Sequence, residues 1–149
     1  MKIEEEIKQV KFKNDYQKLT VNLIYTQGWL LDKFSKLLGK YNLTPQQYNV
    51  LRILRGQYPD STSVGLIKER MLQKISDSSR LVDRLEKKGL ISRKMNKADR
   101  RKTDIKITKK GLTLLKKVDP AADKFDNILT TLNEKEIKTL NNLLDKLRG

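Results

Sequence analysis

The chain has 149 residues, 37% of them apolar and 34% charged, and a formal net charge of +15. That length suits a single domain, but so low an apolar content gives a thin core unless long helices bury a stripe against a second copy of the chain. There is no cysteine and no histidine, which excludes disulfide frameworks, thiol or imidazole metal sites, thiol redox switches and every nucleophile–histidine pair, so neither a metal nor a cofactor is expected.

Residues 1–13 are charged and weakly patterned, an arm that is either frayed or a short helical lead-in. The opening MKIEEEIKQV is acidic and lacks the apolar run of a secretory signal. Nowhere does an apolar run reach the roughly 18 residues of a membrane span, so a cytoplasmic location is expected. From about Asp15, Leu23, Ile24, Leu30, Leu31, Phe34, Leu37, Leu38 and Tyr41 recur at helical spacing. They predict a helix of about 25 residues and about 38 Å.

Thr44-Pro45-Gln46-Gln47 is a helix start, with a hydroxyl cap, a proline in the first turn and a Gln at the reciprocal capping-box position. Tyr48, Val50, Leu51, Ile53 and Leu54 make the helix it opens strongly apolar. Residues 56–62 form a loop on glycine, proline and polar content. Ser63 caps a short helix carrying Val64, Ile67 and Met71. After the connection Leu72-Gln73-Lys74-Ile75, Ser76 is the best chemical cap for the next helix, whose start is defined only to about two residues.

In that next helix Leu81, Val82 and Leu85 form one narrow apolar stripe, and the remaining faces carry Ser, Asp, Arg and Lys. It stops at Lys87-Lys88-Gly89, where two cations meet the negative end of the helix dipole and a glycine can turn left-handed. Two alternating segments follow, 91–95 and 104–108, around the polar tip 96–103, which is a hairpin signal. Thr108 caps a helix from Lys109 to about Leu132, and Asp119-Pro120 predicts a kink or a break in it. Asn133-Glu134-Lys135-Glu136 is a second capping box, opening a last helix with Ile137, Leu140, Leu143, Leu144 and Leu147 on one stripe. A single subunit has too little to cover that stripe.

Charge is not spread evenly. Residues 68–110 hold 16 Lys and Arg against 6 Asp and Glu, a surplus of 10 out of the total of 15. A surplus concentrated in one helix and one hairpin is the footprint of a face laid against a polyphosphate. The run SRLVDRLEKKGLISR, then NKADRR, then DIKITKKG, resembles the recognition helix, wing and following helix of the MarR family of bacterial winged helix-turn-helix regulators. The resemblance extends from roughly Tyr16 to the C-terminus. It departs from the usual pattern at Lys74, where an acidic or hydroxyl cap is common.

The resemblance implies a mainly α fold with a small β-hairpin wing. Helices from residues 15–42 and 109–149 would form a dimerisation region, and residues 44–108 a winged helix-turn-helix lobe. In duplex DNA the helix from Ser76 would enter the major groove, with Asp77, Ser78, Ser79, Arg80 and Arg84 reaching base edges. Lys74, Lys87, Lys88 and Lys94 would meet phosphates, and Ser63, at the start of the supporting helix, would be a further DNA contact. At the wing, the family pattern makes Arg101 a minor-groove reader oriented by Asp99, with Arg93, Lys97 and Arg100 as phosphate contacts and A·T-rich flanks preferred. Two such units related by a two-fold axis would read a near-palindromic operator, as a repressor. The family also implies a small aromatic or lipophilic effector, for which Tyr25, Trp29 and Tyr48 are the candidate lining.

Other readings stand beside this one. The charged helix could be a solvated face, the Asp-Arg tip a hairpin-stabilising turn, and the aromatics plain core. A surplus of +15 also fits a non-specific nucleic-acid or chromatin-like binder. An enzyme is not expected, since no phosphate-cradling glycine loop or metal-ligand cluster is present.

Overall fold

A computed structural model describes residues 1–73, 78–96, 99 and 103–149, with the side chain of Ser78 outside the description. The first element, α1 (Ile3–Glu6), is a short helix rather than a frayed arm, and it docks through Ile3, which is buried. Helix α2 (Asp15–Gly39) has the predicted 25 residues and opens at Asn14, whose side chain accepts from the Gln17 amide at 2.9 Å. It closes into a corner at Asn42, which takes a positive φ of 57°, a conformation that asparagine tolerates better than most residues.

Helix α3 (Pro45–Gln57) forms the full capping box expected of it: Gln47 N donates to Thr44 Oγ1 and Thr44 N to Gln47 Oε1, each at 3.2 Å. This is the central helix, burying Tyr48, Val50, Leu51 and Leu54. Ser63 caps α4 (Val64–Arg70), its Oγ accepting from the Leu66 amide at 3.2 Å. Helix α5 (Ser78–Lys87) buries Val82 and Leu85 while Leu81 is half-buried, so the predicted stripe faces the core. Its end is a Schellman turn: Gly89 N bonds Glu86 O at 2.7 Å, Leu90 N bonds Leu85 O at 3.0 Å, and Gly89 has φ +68°.

Strands β1 (Ile91–Met95) and β2 (Thr103–Ile107) pair antiparallel, Ile91 opposite Ile107 and Met95 opposite Thr103. The second strand thus lies one residue earlier than the pattern suggested, because Thr108 leaves the ladder to cap the next helix. The loop before α4 also joins the sheet. Thr62 N donates to Ile105 O at 2.8 Å and Ile105 N to Thr62 O at 2.7 Å, so the base of the hairpin is tied to the start of α4.

Helix α6 (Lys109–Phe125) runs through Pro120 unbroken, so of the two expected outcomes, a kink or a break, the break does not occur. Leu115 and Val118 are fully buried just before the proline, and Asp119 accepts from Arg55 of α3 at 2.7 Å. Packing and an ion pair therefore hold the helix where proline removes one backbone bond. It ends at Phe125 in a 3-10 turn over Asp126–Leu129, short of the predicted Leu132. Helix α7 (Glu134–Arg148) starts at its predicted capping box, and none of its residues is buried.

Candidate nucleic-acid interface

With Val82 and Leu85 turned into the core, α5 presents Ser79, Arg80, Arg84 and Lys87 to solvent. Arg80 and Arg84 stand one turn apart on a single face. Lys74, Ser76, Asp77, Lys97, Arg100 and Arg101, all expected at this surface, lie outside the described residues, as does the Ser78 side chain. Lys94 of β1 is exposed. Ser63 is exposed as well, although its hydroxyl is occupied in capping α4.

Two expected phosphate contacts are committed elsewhere. Arg93 Nε donates to Glu86 Oε2 at 2.7 Å, and its guanidinium also pairs with Asp83. Both carboxylates belong to α5, so Arg93 ties the first wing strand to the reading helix, and bonding to Glu86 and then Asp83 holds its guanidinium still more firmly in the charged form. Lys88 turns away from the exposed side of α5: its Nζ donates to Asn42 O at 2.5 Å and to Gln47 Oε1 at 3.1 Å. Neither role was visible in the sequence, because the partners lie 7 and 10 residues away for Arg93 and 46 and 41 for Lys88.

Asn96 organises the wing. Asn96 Nδ2 donates to Asp104 Oδ1 across the hairpin, and Asn96 Oδ1 accepts from the Asp99 amide, both at 2.9 Å. An amide side chain that bonds two residues of its own turn shapes that turn locally. The Asp99 position is therefore set partly by Asn96.

The three aromatic candidates for effector binding do not converge. Tyr25 and Trp29 face a groove of about 290 Å³ against Met1, Ile3 and Glu6. There the Tyr25 hydroxyl donates to Glu6 Oε2 at 2.5 Å, and that bond raises the phenol's pKa. Tyr48 lines a different cavity of about 410 Å³ with Leu31 and Phe34 of α2, Arg52 of α3, and Met71 and Leu72 at the approach to α5. Arg52 donates to the Tyr48 hydroxyl at 3.0 Å, and Phe34 meets the Tyr48 ring edge-on at 5.5 Å between centroids. Within the chain the trio is divided between two grooves because α1 folds back over Tyr25 and Trp29, which their spacing in α2 could not indicate.

A helix pair whose second member shows an arginine-bearing face, followed by a two-stranded hairpin fastened to that member, defines a winged helix-turn-helix protein. The MarR family model matches residues 43–103. The regulator MhqR of Bacillus subtilis is 31% identical over 119 residues, spanning 78% of this chain and 79% of that protein. MgrA of Staphylococcus aureus is 33% identical over 113 residues, 76% of this chain and 75% of its own. The chain belongs to the MarR family of DNA-binding transcriptional regulators.

Solved structures agree on the fold. MepR of S. aureus in complex with DNA superposes with a TM-score of 0.79 at 22% identity, covering 92% of this chain and 97% of that one. The organohalide-sensing regulator RdhR in its 2,4-dichlorophenol-bound form gives 0.83 at 19% identity, covering 94% and 85%. Among the described residues, no helix is long and apolar enough to cross a membrane.

Proposed function

We propose that the protein is a homodimeric repressor that reads a near-palindromic operator in the cytoplasm and is released by a small aromatic or lipophilic ligand. The observation that carries the reading is the orientation of α5, whose apolar stripe is buried while Arg80 and Arg84 are exposed together. A guanidinium fork pairs with guanine O6 and N7, each good contact discriminating by about 1–3 kcal/mol. In this proposal Asp77, Ser78, Ser79, Arg80 and Arg84 approach base edges. Ser63, Lys74, Ser76, Lys87, Lys94, Lys97 and Arg100 lie along the backbone, and Arg101 enters the minor groove beside Asp99.

The dimer is supported by apolar surface that a single chain leaves wet. Leu143 and Leu147 of α7 are 58% and 59% exposed, and Ile24 of α2 is 66% exposed. Residues 15–42 and 109–149 would form the dimerisation region, and 44–108 the DNA-binding lobe. A two-fold axis then sets two reading helices about one DNA turn apart.

For the ligand, the Tyr48 cavity replaces the three-aromatic site. It lies between α2 and the segment entering α5, so an occupant that favours one setting of that segment shifts the DNA-binding equilibrium. Selecting duplexes from a random pool, then competing the winner against a scrambled duplex at fixed salt, tests the core of the proposal. Equal affinity for both would make the protein a non-specific binder.

A further inference from the structure

Lys88 caps the C-terminal end of α5, and its ammonium reaches across to the α2–α3 corner. One acceptor is the main-chain carbonyl of Asn42, held at positive φ, and the other is Gln47 Oε1. Gln47 is 4% exposed, and the same oxygen accepts from Thr44 N at 3.2 Å in the α3 capping box. Both acceptors are thus fixed by backbone structure before Lys88 arrives. The same turn of α3 also holds the segment after α4: Leu72 N donates to Asn49 Oδ1 at 3.0 Å, and Gln46 Nε2 to Gln73 Oε1 at 3.3 Å.

We infer that Lys88 is a positioning residue for DNA reading rather than a phosphate contact. It fastens the C-terminal end of α5 to the corner joining α2 to α3, on the side opposite the Lys110 ammonium of α6 that holds the Lys88 carbonyl at 2.7 Å, so the corner contributes to the angle of the reading helix. This inference rests on the proposed sequence-specific reading, since a helix that only met phosphates would gain nothing from a fixed angle. A charge-assisted bond to a main-chain carbonyl suits the task, because its acceptor has no side-chain rotamer to lose.

The lock and a phosphate contact differ in salt dependence. A lysine that neutralises a phosphate contributes about 0.9 to the slope of log affinity against log salt, and its removal weakens all duplexes alike. Lys88→Met is expected to lower affinity for the selected duplex by about tenfold. Its salt slope should equal that of the unaltered protein, and its affinity for scrambled duplex should stay within about twofold. Lys87→Met, on the exposed side, is the contrast: it should reduce the slope by about 0.9 and weaken both duplexes alike.

If Lys88→Met instead behaves as Lys87→Met is expected to, the inference is overturned. Hydrogen exchange without DNA separates failure of the lock from failure of sequence-specific reading. With the lock broken, the amides of residues 87–90 should exchange faster while those of α3 hold; unchanged exchange at 87–90 refutes the lock even if DNA reading stands. Should the unaltered protein fail to distinguish the two duplexes, sequence-specific reading falls and exchange alone decides whether Lys88 fastens the helix.

Discussion

Gly111 offers a test in which the sign of the effect, not only its size, is at stake. It is the third residue of α6, and a Cβ built there would lie 2.3 Å from the Leu90 carbonyl oxygen and 2.7 Å from Ile107 Cγ1. Leu90 O also accepts the Thr108 amide at 3.0 Å, so the oxygen cannot retreat without loosening the junction of wing and helix. On helix propensity alone, Gly111→Ala should stabilise by up to about 1 kcal/mol. The crowding opposes this: both neighbours are held, one as backbone and one as a buried side chain, and overpacking of this kind costs about 1–3 kcal/mol. The net expectation is a loss of up to about 2 kcal/mol, which for a chain of this size lowers Tm by several degrees at about 2–4 °C per kcal/mol. Thermal unfolding followed by far-ultraviolet circular dichroism measures it. A higher Tm would mean that α6 does not approach the wing base this closely, and the placement of the hairpin would have to be redrawn.

Other expectations follow from the site and the exposed faces. Arg93→Met removes ion pairs whose members are 30–44% exposed, so its stability cost should be about 1 kcal/mol or less. The 91–95 strand should nonetheless be cut sooner in limited proteolysis, and equal cutting would show that Arg93 does not fasten the wing. Leu143→Glu places a charge in the exposed stripe of α7. Sedimentation should show dissociation with little loss of helix, and a dimer as tight as before would remove α7 from the interface.

Docking of α1 should depend on pH through Glu4, whose pKa is lowered first by the hydrogen bond from Lys18. Because the folded value lies below the ordinary 4.5, the contribution is complete above that value and lost as pH falls through the lowered one. Fluorescence of Trp29, which lines the groove beside α1, should shift to the red in acid, and Glu4→Gln should give the same shift at pH near 7. A Glu4→Gln spectrum identical to the original would contradict this.

Legibility in the sequence tracks how local each interaction is. The length of α2, the boxes at Thr44 and Asn133, the Gly89 stop and the hairpin were all readable, since each depends on residues within a few positions of one another. Thr62 was not, because one paired residue inside a loop has no periodicity. The choice between a kink and a break at Pro120 was not, because Arg55, 64 residues from Asp119, helps hold the helix there. For the site, burial of Val82 and Leu85 followed from the stripe and left Arg80 and Arg84 outside. The partners of Arg93 and Lys88 come together only in the folded chain, and net charge does not distinguish a paired cation from an available one.

Asp83 and Glu86 put two negative charges on the helix proposed to face a polyanion, which taken alone opposes approach to every duplex. Arg93 answers both from the neighbouring strand, so one guanidinium offsets the repulsion and fixes the wing to the helix at once. The field at the exposed face and the rim includes that of Arg84, Lys87 and Lys94. If the excess charge served only to attract nucleic acid, carboxylates bound internally to an arginine would be a poor use of three charged residues. Their presence is intelligible if the angle between helix and wing matters as much as the total charge, which is the requirement of a protein that reads a groove.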